Sequence, residues 1–310
     1  MSPTVWLVTG STSGLGAALV DHILSRGDQV IASGRKVNER LAHLKSNPNA
    51  ALLELDIAAG KEELLAKIQA AWQIFGRIDV LMNNAGISAT RSVEDAGDDY
   101  VQNMFQVNLF GQMYLTQAIL PLLRAQGHGC IAFTASSSSW MALPFMSHYA
   151  MTKAALDVFA ETLHREISPL GLRAVAFDCG AFPTRLMHPR EESQKADTES
   201  QEPAIDDYKP LYGDLMSVFT TDPMGLMIGD PTKAASTIFD VVKAEGVAAS
   251  KTWAVRVVLG SDSLDSAKQR RQGELKLLSD WESVSRSTDG NVYKRRDDLQ
   301  KFTVVTGAEV

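Results

Sequence analysis

The chain has 310 residues, 45% hydrophobic and 22% charged, an ordinary globular composition with enough apolar material for a large core. Its 30 basic and 37 acidic residues leave a formal net charge of −7, which argues against nucleic acid or an acidic membrane surface as a partner. Two cysteines, Cys130 and Cys179, make neither a disulfide framework nor a zinc-binding spacing.

No apolar run reaches the roughly 18 residues that a bilayer span needs. The first strand is predicted to start near Thr4, which leaves no room for a cleaved leader. A soluble, cytoplasmic chain without a metal site is expected.

Val5-Trp6-Leu7-Val8 is a continuous apolar run, the pattern of a strand buried on both faces. It enters the turn Thr9-Gly10-Ser11-Thr12-Ser13-Gly14-Leu15-Gly16, after which residues 15–25 carry helical apolar spacing. Further strands are predicted at 29–33, 52–55, 80–82, 131–133, 174–177 and 255–259. Helices are predicted at 62–75, 101–123, 150–167 and 232–243, with Pro121 closing the second. This alternation predicts an α/β fold, a doubly wound parallel sheet in one domain over residues 1–260.

The alternation breaks at residues 183–230. Residues 189–202 are polar, acidic and expected to be mobile. Their flanks carry Leu186, Met187, Tyr208, Leu211, Tyr212, Met216, Phe219, Met224, Leu226 and Met227. The insertion is either a lid over a ligand or a small subdomain with its own core, and its late position favours the lid. Residues 261–310 form an extension. A helix is predicted at 263–285, with Leu264, Leu275, Leu277, Leu278 and Trp281 as packing residues, followed by a polar tail.

Glycines where a strand becomes a helix permit positive φ and remove side chains that would block a phosphate, while the helix amides face it. A glycine triplet alone is also a plain tight turn. Its placement here predicts a dinucleotide site built from Gly10, Ser11, Ser13, Gly14, Leu15 and Gly16. The tip of the second strand reads Gly34-Arg35-Lys36, with no acid to bond a ribose 2′-hydroxyl. Arg35 is expected to hold a 2′-phosphate, with a hydroxyl from Ser11 or Ser33, which predicts NADP(H) over NAD(H). Asp56 either accepts from the adenine amino group or caps its own turn. Asn83-Asn84-Ala85-Gly86 has short side chains that let the backbone pass close to a ribose, and its asparagines can tie neighbouring strands.

Tyr149-Ala150-Met151-Thr152-Lys153 follows Ser136 by thirteen residues, 149 less 136. A carbonyl that accepts hydride develops charge on oxygen and needs a proton. Tyrosine, at an ordinary pKa of about 10, relays one poorly at neutral pH. Lys153 lies one helical turn beyond Tyr149 and is expected to lower that pKa. Ser136 is placed to hold the oxygen, and Asn108 to keep a water that links the lysine to solvent. Each also has a bland reading: a surface Tyr–Lys pair, a flexible Ser136–Ser139 turn, an asparagine that bends a helix.

Over roughly residues 4–259 the chain resembles the short-chain dehydrogenase/reductases. The resemblance rests on Thr9-Gly10-x-x-x-Gly14-x-Gly16, Asn83-Asn84-Ala85-Gly86, Asn108, Ser136 and Tyr149-x-x-x-Lys153. It implies a Rossmann-type sheet, hydride transfer at a secondary alcohol carbon, and a tetrad of Asn108, Ser136, Tyr149 and Lys153. In that tetrad Tyr149 is the acid/base, Ser136 holds the oxygen, Lys153 orients the ribose and Asn108 sustains the proton relay. Where the family carries Pro-Gly after the sixth strand, this chain reads Asp178-Cys179-Gly180-Ala181-Phe182-Pro183-Thr184. Gly180 and Thr184 remain to approach a nicotinamide amide, and Cys179 is read as a buried apolar group without chemistry.

Met141, Leu143, Phe145, Met146 and His148, with the apolar part of the insertion, predict a roomy apolar pocket for a bulky ketone or alcohol of polyketide, terpenoid or steroid-like type. His148 is either a substrate contact or structural. The insertion and C-terminal helix look like those of family members that reduce natural-product intermediates. An NADPH-dependent carbonyl reductase is expected. A cofactor-bound epimerase or cyclase, or a nucleotide-sensing scaffold, are the rival readings. By the resemblance, a homo-oligomer, dimer or tetramer, is expected through the helices at 101–123 and 150–167.

Overall fold

Every residue of Val5–Val8 is buried, with Val5 and Leu7 facing one helical layer and Trp6 and Val8 the other. The protein, seen here as a computed structural model, is described over residues 2–186, 201–221 and 226–290. In chain order these form β1 (Val5–Val8), α1 (Gly14–Ser25), β2 (Gln29–Gly34), α2 (Val37–Arg40), β3 (Ala50–Glu54), α3 (Lys61–Phe75), β4 (Val80–Asn83) and α4 (Asp98–Phe105). A π turn (Gln106–Phe110) leads to α5 (Gly111–Gln126), β5 (Gly129–Ser136), α6 (Ser138–Met141), α7 (Ser147–Ile167) and β6 (Leu172–Cys179). Then come α8 (Lys209–Thr221), α9 (Pro231–Lys243), β7 (Arg256–Leu259), α10 (Ser261–Asp280) and α11 (Glu282–Arg286).

The strands pair in parallel in the order β3-β2-β1-β4-β5-β6-β7. This is the doubly wound, Rossmann-type sheet that the alternation predicts. One core packs α3, α5 and α7 against the sheet face that carries Leu7, Leu81, Ile131 and Phe133. The other packs α1 and α9 against Trp6, Val8, Met82 and Phe177. Strand order reverses between β1 and β4, so the crevice at their C-terminal ends is where such a sheet offers a ligand site.

Three expectations are corrected. The helix predicted at 101–123 is α4, a π turn and α5. Pro121 lies inside α5 and does not close it; the stop is Gly127, whose positive φ of 78° lets its N–H reach the Leu123 carbonyl at 2.9 Å. The C-terminal packing residues are not packed. Leu264, Leu275, Leu277, Leu278 and Trp281 are all exposed, because only the start of α10 touches the body.

Within the insertion, α8 has no buried residue, which leaves it no core of its own. Residues 201–221 lie on the loop after β4. Gln201 N–H donates to the Thr90 carbonyl at 3.2 Å, Ala204 N–H to Asp95 at 3.0 Å, and Tyr208 Oη to Glu94 at 2.8 Å. Met187, residues 189–200, Met224 and the tail at 291–310 lie outside the described residues.

Candidate active site

The turn after β1 is built by two left-handed glycines. Gly10 has φ +65° and Gly14 φ +58°, and a Cβ on Gly10 would meet Ala85 Cα at 2.8 Å. Thr9 locks this turn to the one after β4, its hydroxyl accepting from the N–H groups of Asn84 at 2.9 Å and Ala85 at 3.0 Å. Asn84 returns the bond to the Thr9 and Gly10 carbonyls and accepts from Thr134 on β5. The asparagine ties neighbouring strands, as its short polar side chain predicts.

A cleft of about 240 Å³ opens here, lined by Gly10, Thr12, Arg35, Arg40, Asp56 and Gly86 among others. A smaller one, about 70 Å³, is lined by Ser13, Gly14, Leu15, Asn84, Tyr149, Lys153 and Thr184 among others. They share Gly10, Ala85 and Gly86, so one groove runs from Arg35 to Lys153. No side chain caps the start of α1 at Ser13, which leaves its amides for an anion in that groove. Elongated shape, uncapped amides and a guanidinium at one end suit a dinucleotide.

Several predicted cofactor residues sit otherwise than expected. Ser11 and Ser33 are fully buried and both hydroxyls donate to the Val8 carbonyl, at 2.7 and 3.0 Å, so neither reaches a phosphate. Gly16 lines neither cleft. A Cβ there would collide with the Gly10 carbonyl and Asn84 Nδ2, so its role is close packing of α1. Gly180 also lies outside both clefts, and a Cβ there would strike the Asp262 carboxylate. Asp56 caps its own turn, Oδ1 accepting from Ala58 N–H at 3.0 Å, and it also lines the groove. Thr184 does line the groove, packed on Gly14. Sequence reasoning missed Thr12, Arg40 and Glu54. Glu54 accepts from the N–H groups of Lys36 and Val37 and so shapes the turn that presents Arg35; the left-handed φ of 52° at Lys36 leaves no mark in the residue types.

The chemical end forms where β5 stops. Ser136 is its last residue and Tyr149 stands on the first turn of α7, both nearly buried. Ser138 Oγ and N–H hold Ser136 Oγ at 3.1 and 3.2 Å, and the Ser136 hydroxyl favours the ionised form of Tyr149. Lys153 Nζ donates to the Thr134 carbonyl at 2.7 Å and lies 5.7 Å from the Tyr149 ring centre. Burial drives Tyr149 up to about 12, with the Ser136 hydroxyl opposing, and Lys153 down to about 8. The expected lowering of Tyr149 by its lysine is not found: Lys153 is not among the groups that shift the phenol, and desolvation raises it.

Asn108 is fully buried on the π turn. Its Oδ1 accepts from Ile87 N–H at 2.8 Å and its Nδ2 donates to the Ile87 carbonyl at 2.9 Å and to Thr152 Oγ1 at 3.2 Å. It both marks the bend in the helix and fixes the loop under Gly86. Cys179 is buried with its thiol pushed up to about 12 by desolvation, inert as expected.

Behind Lys153 lies a cluster that the motifs did not reveal. Arg256 donates to Asp178 at 3.1 Å and to Asp157 at 2.7 Å, while the other oxygen of each carboxyl is buried without a hydrogen-bond partner among the described residues. Burial raises both, and the neighbouring Asp157 carboxylate helps push Asp178 up to about 8. The spacing Lys153-x-x-x-Asp157 was the available signal.

On the open side of Tyr149 an apolar cluster gathers Ala89, Tyr100, Met104 and Met146, with Leu143 and Leu186 against it. His148 packs edge-on to Tyr100 at 5.6 Å, lines neither cleft, and is kept neutral by burial, which favours its structural alternative. Phe145 meets Tyr212 of α8 edge-on at 5.3 Å.

A family model described as short chain dehydrogenase matches residues 4–195. The chain belongs to that family. An oxidoreductase named BOA17 from Botryotinia fuckeliana (strain B05.10) is 28% identical over 91% of this chain and 97% of its own. An 11-beta-hydroxysteroid dehydrogenase A from Sesamum indicum is 35% identical over 53% of this chain and 49% of its own. A short-chain dehydrogenase from Streptomyces avermitilis superposes with a TM-score of 0.78 at 28% identity, covering 93% of this chain and 99% of its own. Other chains of this fold, at 18 to 23% identity, were solved with NADP, NAD or NADH. This short-chain dehydrogenase is thus an oxidoreductase by family. Among its described residues no helix is long and apolar enough to cross a membrane, and no group of His, Cys, Asp and Glu is placed to hold a metal.

Proposed function

We propose that the protein is an NADPH-dependent reductase that converts a ketone of a bulky hydrophobic molecule, natural-product or steroid-like, to a secondary alcohol, or runs the reverse. The observation that carries this reading is the meeting of Ser136, Tyr149 and Lys153 at the end of a groove whose far end is guarded by Arg35. Arg35, Arg40 and Thr12 support the 2′-phosphate form of the cofactor. Glu54, beside this turn, is occupied by two main-chain amides. The apolar cluster beside Tyr149 supports a hydrophobic substrate, and the hydroxysteroid dehydrogenase relative fits that class. Two buried free thiols suit a reducing, cytoplasmic setting.

When bound, a nicotinamide cofactor would supply the hydride that the carbonyl carbon takes up. Ser136 Oγ donates to the carbonyl oxygen as its charge grows, and Tyr149 Oη delivers the proton that completes the alcohol. Lys153, fixed by the Thr134 carbonyl, stabilises the phenolate left on Tyr149 and holds the cofactor ribose. Asn108 sustains the relay from the π turn, where its side chain bonds both main-chain groups of Ile87 and the Thr152 hydroxyl one residue before Lys153. Thr184 and Gly86 bound the nicotinamide side of the groove. Residues 201–221 form the lid, closed over the substrate through Tyr212 on Phe145.

The test is NADPH oxidation by the purified protein against a panel of bulky ketones, with Tyr149→Phe beside it. Turnover that is lost in the variant supports the reductase. Substrate conversion without net NADPH use would replace it with the epimerase or cyclase reading.

A further inference from the structure

β6 and β7 end together. Their pairing stops at Cys179 and Leu259, and one more bond follows, from Gly180 N–H to the Leu259 carbonyl at 2.8 Å. On the other side β5 ends opposite Cys179. Ala181 therefore lies past both neighbouring strands, and its N–H needs another acceptor. A side chain supplies it. Asp262 Oδ2, on the first turn of α10, accepts from Ala181 N–H at 2.7 Å.

The chain reaches that position by turning sharply after β7. Gly260 has φ +102°, which glycine takes without strain, and it brings Asp262 back over Gly180. A Cβ on either Gly180 or Gly260 would strike the Asp262 carboxylate. Its Oδ1 is buried against both glycines, without a hydrogen-bond partner among the described residues. The neighbouring Ser263 Oγ donates to the Asp178 carbonyl at 3.0 Å, which seats the start of α10 on the end of β6.

Ala181 is the root of the segment that enters the groove. Its carbonyl accepts from Gly229 N–H at 3.1 Å, and Phe182 fills the space over Gly229, so both stems of the insertion meet at the residue that Asp262 holds. Three residues on, Thr184 packs on Gly14 and lines the groove with Tyr149 and Lys153. Asp262 itself lines neither cleft. We infer that Asp262 is a positioning residue: through Ala181 its carboxylate sets where residues 181–184 enter the groove, and so the seat of the nicotinamide. The inference rests on the reading of the groove as a dinucleotide site. An acid in the first turn also favours α10 itself, a purely structural effect that the test separates.

Asp262→Ala, Asp262→Asn and Gly180→Ala are compared with the parent, each checked by circular dichroism and thermal melting. Dissociation constants are measured for NADPH, or for NADH where the parent prefers it, and for the matching ADP-ribose fragment without nicotinamide. Asp262→Ala is expected to weaken the dinucleotide about tenfold or more and the fragment less than about twofold. Asp262→Asn keeps an oxygen for Ala181 N–H and is expected to stay within about threefold of the parent for both. Gly180→Ala displaces the carboxylate while keeping Asp262 in the chain. It is expected to copy Asp262→Ala, and to add little when the two are combined. Equal weakening of dinucleotide and fragment would reduce Asp262 to a structural role and overturn the inference. So would an Asp262→Ala variant that binds the dinucleotide like the parent. A parent that binds neither dinucleotide would remove the reading of the groove, and the inference with it.

Discussion

Lys153 Nζ donates to the Thr134 carbonyl at 2.7 Å, two residues before Ser136 on the same strand. One strand thus fixes both the serine and the ammonium on either side of Tyr149. The ammonium pays for this with solvation, since burial lowers Lys153 to about 8.

That value sets a pH limb. Lys153 is charged below about 8 and neutral above it, and the account needs the charged form. kcat/KM for ketone reduction is expected to be flat below the limb and to fall tenfold per pH unit above it. The Lys153→Met variant should lose activity and the limb together. A parent profile that rises through pH 8 to 9 would oppose the role given to the lysine.

Arg35→Ala removes the guanidinium at the adenosine end of the groove. Loss of a charge-assisted, two-pronged contact is worth roughly 10 to 100-fold, so KM for NADPH should rise by that factor while KM for NADH stays within about twofold. Equal effects on both cofactors would remove the 2′-phosphate assignment.

Asp178→Asn replaces the buried carboxyl that Arg256 holds beside Asp157 with an amide that does not titrate. An acid held above its unfolded pKa favours folding while protonated, and that contribution declines as pH rises from the ordinary carboxylate range to about 8. The parent is therefore expected to lose Tm from this source between about pH 4 and 8, and the variant to show a flatter curve. Melting both across that range checks it, and parallel curves would contradict the raised Asp178.

Gly16→Ala puts a methyl onto the Gly10 carbonyl and Asn84. Overpacking of this kind costs about 1 to 3 kcal/mol, or a Tm lower by roughly 3 to 10 °C. Calorimetry on the purified variant measures it. An unchanged Tm would mean that the turn has room that its geometry denies.

The strands and long helices were legible because period-2 and period-3.6 apolar patterns reflect which face is buried, and β1 matches its predicted range residue for residue. The glycine turn and the Tyr149-to-Lys153 spacing were legible because both are local. What was hidden depends on distance in sequence. Ser11 and Ser33 turn inward because the Val8 carbonyl lies between β1 and β2. Gly180 faces Asp262, which is 82 residues later. The phenol of Tyr149 rises because the fold buries it, which no spacing to Lys153 reveals. Leu275, Leu277, Leu278 and Trp281 of α10 and its end are apolar yet exposed, and residue type alone does not say which apolar side chains the fold covers.

The central claim is hydride transfer to a carbonyl with Tyr149 as proton donor. NADPH deuterated at the transferring position, incubated with the enzyme and the best ketone of the panel, gives the most direct reading by mass spectrometry of the product. The account predicts an alcohol one mass unit heavier than that from unlabelled NADPH, and a Tyr149→Phe variant that still binds NADPH but forms product roughly 100 to 10,000-fold more slowly. A product without deuterium, or a variant that keeps the parent rate, would contradict it.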